Sequence, residues 1–283
     1  MESTERPLAD HEHSLGAEHL AGCVALSRSA NWNQNAADWR LMLEIGHGWG
    51  LSLPDGTLAA STLVLPYGSE FAWVSMVLVH PSHRRKGYAS RLLRTAIADL
   101  ENRGLTPILD ATPAGHAVYS QEGFSDRWNF SRFFLREVQM RREPEGTVRQ
   151  LRDTDWNEIL RLDREAFGAS RERMLRALHQ RLPQAALVLE GKGFVFGRDG
   201  REARQIGPLV ARDLASAKAL LSHALAAVEP PVYADVADHA PLRALLEERG
   251  FAFERPFTRM VRGEMPAPGK MELTFLVAGP ELG

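Results

Sequence analysis

Hydrophobic positions fall along the chain in two successive series, and the second repeats the order of the first. Leu15, Leu20, Val24 and Leu26 suggest a helix, and Trp39, Leu41, Met42 and Leu43 mark another beyond a break rich in asparagine (Asn31, Asn33, Asn35). Gly50 to Ser52 and Leu58 to Leu65 read as strands joined across the turn sequence Pro54-Asp55-Gly56. Phe71 to Val79 (FAWVSMVLV) is apolar nearly throughout, as a strand covered on both faces requires. Ala89, Leu92, Leu93, Ala96, Ile97 and Leu100 then recur every three or four positions, with Arg91, Arg94, Asp99 and Glu101 between them, which predicts an amphipathic helix on a sheet. Gly104 ends it, Pro107 to Asp110 starts a strand, and a short helix from about Gly115 to Glu122 leads into Gly123-Phe124. Strand, crossover helix and strand predict parallel pairing.

Beyond Arg141 to Gly146 (RREPEG), which has linker composition, the landmarks return. Ala203 to Ala211 is a strand candidate, Leu214, Ala217, Leu221, Ala224 and Leu225 mark a helix, Val232 to Val236 is a strand, and a short helix at Leu242 to Glu248 precedes Gly250-Phe251. Asp235 matches Asp110. Val79 to Asp110 spans 31 positions and Val210 to Asp235 only 25, yet Ala89 to Asp110 and Leu214 to Asp235 both span 21. The deletion therefore falls in the loop between strand and helix. Met271 to Val277 reads as a final strand that completes either half or reaches a neighbouring subunit.

The 283 residues suit two domains at roughly 150 each. Up to Gly146 there are 14 basic and 17 acidic residues, and beyond it 20 and 19, so neither half is a polycation and nucleic acid is excluded as principal ligand. Hydrophobic residues at 44% are enough for cores. Cys23 is alone, which excludes an internal disulfide and a thiolate-rich zinc site; no metal is expected. Met1 to Ser14 carries Glu2, Glu5, Asp10 and Glu12 without an apolar run, unlike a secretory signal, and no stretch approaches the roughly 20 apolar residues of a membrane span. The expectation is a soluble cytoplasmic protein with a flexible segment at 1–14.

The chemistry concentrates in Pro81-Ser82-His83-Arg84-Arg85-Lys86-Gly87-Tyr88-Ala89, which runs straight into a helix. The first turn of a helix offers unpaired amides and the positive dipole end, Gly87 allows close backbone approach, and three cations stand beside it, so a pyrophosphate is the natural ligand. The patterns GxxxxGK[ST] and GxGxxG are absent, which argues against nucleotide hydrolysis and a classical dinucleotide site. Arg84-x-x-Gly87-x-Ala89 resembles the (Gln/Arg)-x-x-Gly-x-(Gly/Ala) signature of the Gcn5-related N-acetyltransferases (GNATs), which cradles the pyrophosphate of acetyl-CoA. Leu109-Asp110-Ala111-Thr112-Pro113 and Tyr119-Ser120-Gln121-Glu122-Gly123-Phe124 follow in the family's order. Asn31-Trp32-Asn33-Gln34 with Asp38-Trp39, Ala72-Trp73-Val74, Phe167-Gly168, Ile206-Gly207-Pro208-Leu209 and Ala278-Gly279-Pro280-Glu281-Leu282-Gly283 are similar to a bacterial group with a second, degenerate acetyltransferase-like domain.

The resemblance implies an α/β fold with a mixed sheet in tandem GNAT-like domains: a complete one at 15–143, a degenerate one at 147–263, and a tail with a strand at 264–283. It implies an acetyl-CoA-dependent N-acetyltransferase acting by direct attack of a primary amine, for which we expect a small molecule. Backbone groups of Val77, Leu78 and Val79 would meet the pantetheine arm, with an amide near Val77 or Leu78 for the oxyanion. Arg84, Arg85, Lys86, Gly87, Tyr88, Ala89 and Ser90 would hold the pyrophosphate, and Tyr119 would protonate the departing thiolate.

Trp73-Val74-Ser75-Met76-Val77 lacks the glutamate that some members place on this strand, so the base is open: Asp110, directly or through water, then His116, or a water chain. Asp110 also suits a helix cap, and Tyr119 also suits simple packing. Trp32, Asn33 and Gln34 are a substrate lip or turn residues with one anchoring Trp. His80 and His83 read as loop or phosphate neighbours, and Cys23 as core. The alternatives in function are an acetyl-CoA-binding sensor or scaffold without turnover, and a protein N-acetyltransferase docking its partner through the second domain. A homodimer is compatible with either.

Overall fold

A computed structural model of the chain describes residues 10–137 and 147–283. The linker at Arg141 to Gly146 and the first nine residues lie outside the described residues. Within the segment expected to be flexible, residues 11–14 form β1 (His11–Ser14), which pairs antiparallel with β2 (His47–Ser52). Between them stand α1 (Leu20–Ser29) and α2 (Ala36–Ile45). The asparagine-rich break is a helix cap: Asn35 Oδ1 accepts from the amides of Ala37 (2.9 Å) and Asp38 (3.1 Å), and Asp38 Oδ2 accepts from the Asn35 amide at 2.8 Å.

The first series continues as β3 (Leu58–Tyr67), β4 (Phe71–Val79), α3 (Tyr88–Asn102), β5 (Thr106–Ala111), α4 (Pro113–Gln121) and β6 (Phe124–Leu135). Leu92, Leu93, Ala96, Ile97 and Leu100 of α3 are buried against the sheet, as their spacing predicts. The second series is β7 (Arg149–Gln150), α5 (Trp156–Phe167), α6 (Glu172–Arg181), β8 (Leu187–Leu189), β9 (Gly193–Arg198), β10 (Arg204–Ala211), α7 (Leu214–Ala227), β11 (Val232–Ala237), α8 (Ala240–Glu248), β12 (Ala252–Arg262) and β13 (Thr274–Leu276). No helix among the described residues is long and apolar enough to cross a membrane.

All thirteen strands form one sheet in the order β1-β2-β3-β4-β5-β12-β6-β11-β13-β10-β9-β8-β7. The last long strand of each half is exchanged: β12 pairs with β5 of the first half, and β6 pairs with β11 of the second. β6 and β12 run antiparallel at the centre, where Phe130 faces Phe257 with ring centroids 5.0 Å apart and planes 8° from parallel. An internal approximate two-fold axis passes between these rings. It relates two buried ion pairs across the exchange. Arg259 donates from Nε and Nη2 to both oxygens of Asp110 (2.8 and 2.9 Å), and Arg132 donates likewise to Asp235 (2.7 and 2.7 Å). The matching aspartates of the sequence repeat are thus matching strand clamps.

Candidate active site

β4 and β5 pair in parallel only from Phe71↔Thr106 to Trp73↔Ile108, and then part. A bulge lies at the parting: the register with β3 shifts between Ser61 and Leu63, Met76 takes φ 50°, and Ser61 Oγ donates to the Met76 carbonyl at 2.8 Å. Leu78 and Val79 remain paired with Ser61 and Ala60 of β3 on one side, while Val77 lies in the bulge and lines the opening. From Val79 the chain passes through a 3-10 turn (Pro81–His83) to Gly87, which takes φ 80° as the residue before α3. A Cβ at Gly87 would meet nothing within 4 Å, so the space above the first turn is open. Among the described residues, no turn, loop or cap hydrogen bond uses the amides of residues 85 to 90. Arg84, Arg85 and Lys86 are exposed and, among the described residues, paired with no carboxylate; Lys86 Nζ lies 3.3 Å from His83 Nδ1. The Tyr88 side chain turns away and donates to Asp10, so Tyr88 offers the loop its amide alone.

The second half has the same parting and fills it. β10 and β11 pair from Arg204↔Val232 to Ile206↔Ala234, after which β13 enters between them through Leu209↔Leu276, Val210↔Thr274 and Val236↔Leu276. The strand expected at Met271 to Val277 is shorter and closes this slot. The connection from β10 to α7 is only Arg212-Asp213, and Asp213 caps the helix by accepting from the Ser216 amide at 2.8 Å. A carboxylate thus stands where the first half presents Gly87. Leu246, at the place of Tyr119 in the repeat, is fully buried core.

A cavity opens at the parting of β4 and β5. It is lined by Trp32, Asn33 and Gln34, by Val74 to Val77, and by Leu109, Asp110, Thr112 and Tyr119. Arg132, Arg255, Phe257, Pro280 and Glu281 complete it from the exchanged strands and the final residues. Tyr119 is placed by α4, whose start is fixed by Thr112 Oγ1 accepting from the Gly115 amide and by Pro113. Its ring packs edge-on against Phe124 and over Gly115, where a Cβ would come within 2.7 Å of it. A phenol is neutral at pH 7 in any case, and desolvation pushes that of Tyr119 further up, to about 12.

The sequence candidates meet here unevenly. Gln34 is 3% exposed and its Oε1 has no hydrogen-bond partner. Asn33 is spent on the second half instead: Nδ2 donates to the Ala203 carbonyl (2.9 Å), and Oδ1 accepts from the amides of Glu202 (2.9 Å) and Ala203 (3.0 Å). The Trp32 carbonyl accepts from Arg201 Nε at 2.9 Å while its side chain lines the cavity. Asp110 lines the cavity too, but both its oxygens are engaged by Arg259, whose guanidinium lies between Trp73 (4.3 Å) and Trp128 (4.5 Å). Burial pushes the Asp110 carboxyl up, opposed by Arg259 and reinforced by Asp235 and Glu281. His116 bonds Asp126 at 2.8 Å and does not line the cavity.

The final residues stood in the sequence only as a likeness to the second domain and were not among the candidates for the site. Ser75 Oγ donates to the Glu281 carbonyl (2.9 Å), Trp73 Nε1 to that of Pro280 (3.0 Å) and Tyr67 OH to that of Leu282 (2.8 Å), which seats this segment under β4. No spacing rule links a residue at 281 to a strand at 71–79; only the likeness of Ala278 to Gly283 to the second domain's ending pointed there.

The model of the acetyltransferase (GNAT) family matches residues 16–124, and that of the acetyltransferase (GNAT) domain matches residues 159–276. The chain belongs to the GNAT acetyltransferases. It is a tandem GNAT, with a mixed α/β sheet and two GNAT domains joined by strand exchange. No curated protein sequence matches it. Among solved structures it is similar to a Pyrococcus horikoshii protein provisionally assigned as an acetyltransferase (20% identity, TM-score 0.80, covering 100% of this chain and 99% of that one). A GCN5-related N-acetyltransferase from Sphaerobacter thermophilus gives 17% identity and TM-score 0.65 over 91% of this chain and 97% of that one. A tandem GNAT protein from the clavulanic acid biosynthesis pathway gives 15% and 0.56 over 91% and 100%. At such identities the likeness is one of fold. Among the described residues, no group of three or more His, Cys, Asp or Glu could hold a metal ion.

Proposed function

We propose that the first half binds acetyl-CoA in the opening between β4 and β5, with the pyrophosphate on the loop before α3, and that the enzyme acetylates the primary amine of a small molecule. The observation that carries this reading is the contrast between the two partings: one is open beside unbonded amides and unpaired cations, the other is filled by β13 and capped by Asp213. Amides at a helix start and a left-handed glycine suit a diphosphate. The cavity at the inner end of the opening has apolar walls in Trp32, Val74, Met76, Leu109 and Phe257, which suit the apolar body of a small amine.

When bound, acetyl-CoA supplies the acyl thioester. Residues of the chain do the rest. The bulge at Met76 directs main-chain groups of Val77 and Leu78 into the opening, where an amide can meet a developing oxyanion. Tyr119, half-buried in the cavity wall and a neutral phenol at pH 7, holds the proton that a departing thiolate requires. Asp110 acts as the anchor of Arg259 and β12 rather than as a base, since each oxygen already accepts from the Arg259 guanidinium.

Gly87→Glu tests the reading, because it sets a carboxylate in open space at the proposed pyrophosphate seat. Calorimetry should show acetyl-CoA binding abolished in a variant that still melts cooperatively; binding that persists unchanged assigns the cofactor elsewhere. A sensor without turnover is distinguished by incubating the parent with acetyl-CoA and a panel of amines, where thiol release above background requires an enzyme.

A further inference from the structure

Seven buried side-chain nitrogen or oxygen atoms among the described residues have no hydrogen-bond partner, and three of them belong to residues lining the one cavity described above: Gln34 Oε1, Glu281 Oε2 and Arg255 Nε. Unsatisfied buried polar atoms are rare, and their clustering at a cavity marks groups that await a ligand. Two of the three are acceptors on residues only 3% exposed. The carboxylate is held rather than free to swing. Glu281 Oε1 accepts from Arg198 Nη2, Arg198 Nη1 donates to Asp38 Oδ1 at 2.8 Å, and the Glu281 carbonyl is fixed by Ser75. One oxygen is thereby anchored and the other left unpaired. Neither sequence candidate for the base offers this, because Asp110 is fully engaged and His116 is outside the cavity.

We propose that Glu281 is the catalytic residue that receives the acceptor's ammonium group and takes its proton, with Gln34 Oε1 as the second acceptor of that seat. The substrate class is a compact primary amine with an apolar body that enters as its ammonium ion. This deepens the acetyl-transfer reading and rests on it. An ammonium carries three donors and no acceptor, the chemical complement of two unpaired acceptor oxygens on one cavity wall. It also neutralises a carboxylate that Arg198 only half compensates, Arg198 being shared with Asp38. The other charged groups around Glu281 are Asp110 on β5, Arg132 on β6 and Arg255 on β12, with the Tyr67 phenol behind it.

In the step, one N–H bond of the ammonium breaks and its proton passes to Glu281 Oε2. The freed nitrogen lone pair forms the bond to the acetyl carbon while the carbon–sulfur bond breaks. That electron pair goes to sulfur, which takes the Tyr119 proton, and a second proton from nitrogen restores the phenol through solvent. Ammonium and thioester thus become amide, thiol and one proton, which leaves Glu281 for water through the emptied cavity.

Steady-state acetylation of a panel of small primary amines led by phenethylamine tests this with the full chain. Glu281→Gln should lower kcat/KM for the amine by about 10²–10⁴-fold while calorimetric CoA affinity stays within about twofold. Its residual rate should climb with pH toward the amine's own pKa, because only amine already free in solution then reacts, whereas the parent profile is flatter. Glu281→Asp should recover part of the rate. Unchanged kcat/KM in Glu281→Gln overturns the proposal. Should that variant fail to fold, Gln34→Leu should raise KM for the amine and leave kcat, and an unchanged KM is equally fatal. A parent that binds no acetyl-CoA refutes the acetyl-transfer reading; a parent that binds it yet neither binds nor acetylates any amine of the panel refutes this proposal alone.

Discussion

Replacing Arg259 by methionine leaves the Asp110 carboxylate buried at the junction of β5 and β12 without its partner. The structure gives that side chain two charge-assisted bonds, at 2.8 and 2.9 Å, and faces on Trp73 and Trp128. Removing one member of a buried pair typically costs about 3–5 kcal/mol. At a urea slope of about 3 kcal/mol/M, the unfolding midpoint should fall by about 1–1.7 M. The approximate two-fold axis supplies an internal control. Arg132→Met exposes Asp235 to the same loss, but Asp235 keeps Gln205 Nε2 at 2.5 Å. It should therefore cost less, by about 1.5–3 kcal/mol, the worth of a hydrogen bond to a charged group. The pH dependence has a definite sign. Burial already pushes the Asp110 carboxyl up, and without Arg259 little opposes it. The folded variant then retains a proton that the unfolded chain releases near pH ~4, so its stability should fall as pH rises from there through the folded value, more steeply than the parent's. Asp110→Leu in the Arg259→Met background should recover most of the loss. Urea titrations followed by tryptophan fluorescence measure all four chains. A loss under about 1 kcal/mol for Arg259→Met, or a larger loss for Arg132→Met, would refute the reasoning about paired buried charge.

Tyr119→Phe should lower kcat by about 10²–10⁴-fold with little change in the KM for acetyl-CoA, and the parent's rate should show no descending limb before the phenol ionises at about 12. An alkaline fall between pH 8 and 10 that Tyr119→Phe leaves in place would assign the acid elsewhere. Cys23 is 0% exposed, and burial pushes its thiol up to about 12, so an aromatic disulfide reagent should label it only at the rate of unfolding. Rapid labelling of the folded chain would contradict the packing of α1.

Much of the first half was legible because its chemistry is local. The apolar run Phe71 to Val79, the Gly87 loop and the periodic face of α3 lie adjacent in sequence, and each element matches its pattern. The repeat arithmetic also located the lost loop, which is Arg212-Asp213. Strand exchange was not legible. β6 and β12 alternate as strands would in either half, and nothing local tells Asp110 to take its arginine from position 259 rather than 132. Helices α5 and α6 went unread although Ile159, Leu162, Ala166, Met174, Leu175 and Leu178 are buried from faces with helical spacing. Asn33 carries side-chain amide chemistry suited to a substrate lip, but its partners at Glu202 and Ala203 lie in the other half of the chain. Glu281 was hidden for the same reason: its neighbours Ser75 and Arg198 come from two distant strands.

On the proposed function, one of the two related slots is open to acetyl-CoA and the other is closed by β13. A crystal structure of the chain with CoA bound tests it most directly. One molecule per chain is expected, its pyrophosphate on the amides around Gly87 and its pantetheine arm along Val77 to Val79, with β13 still between β10 and β11. A second molecule displacing β13, or the amides before α3 directed away from the phosphates, would contradict it.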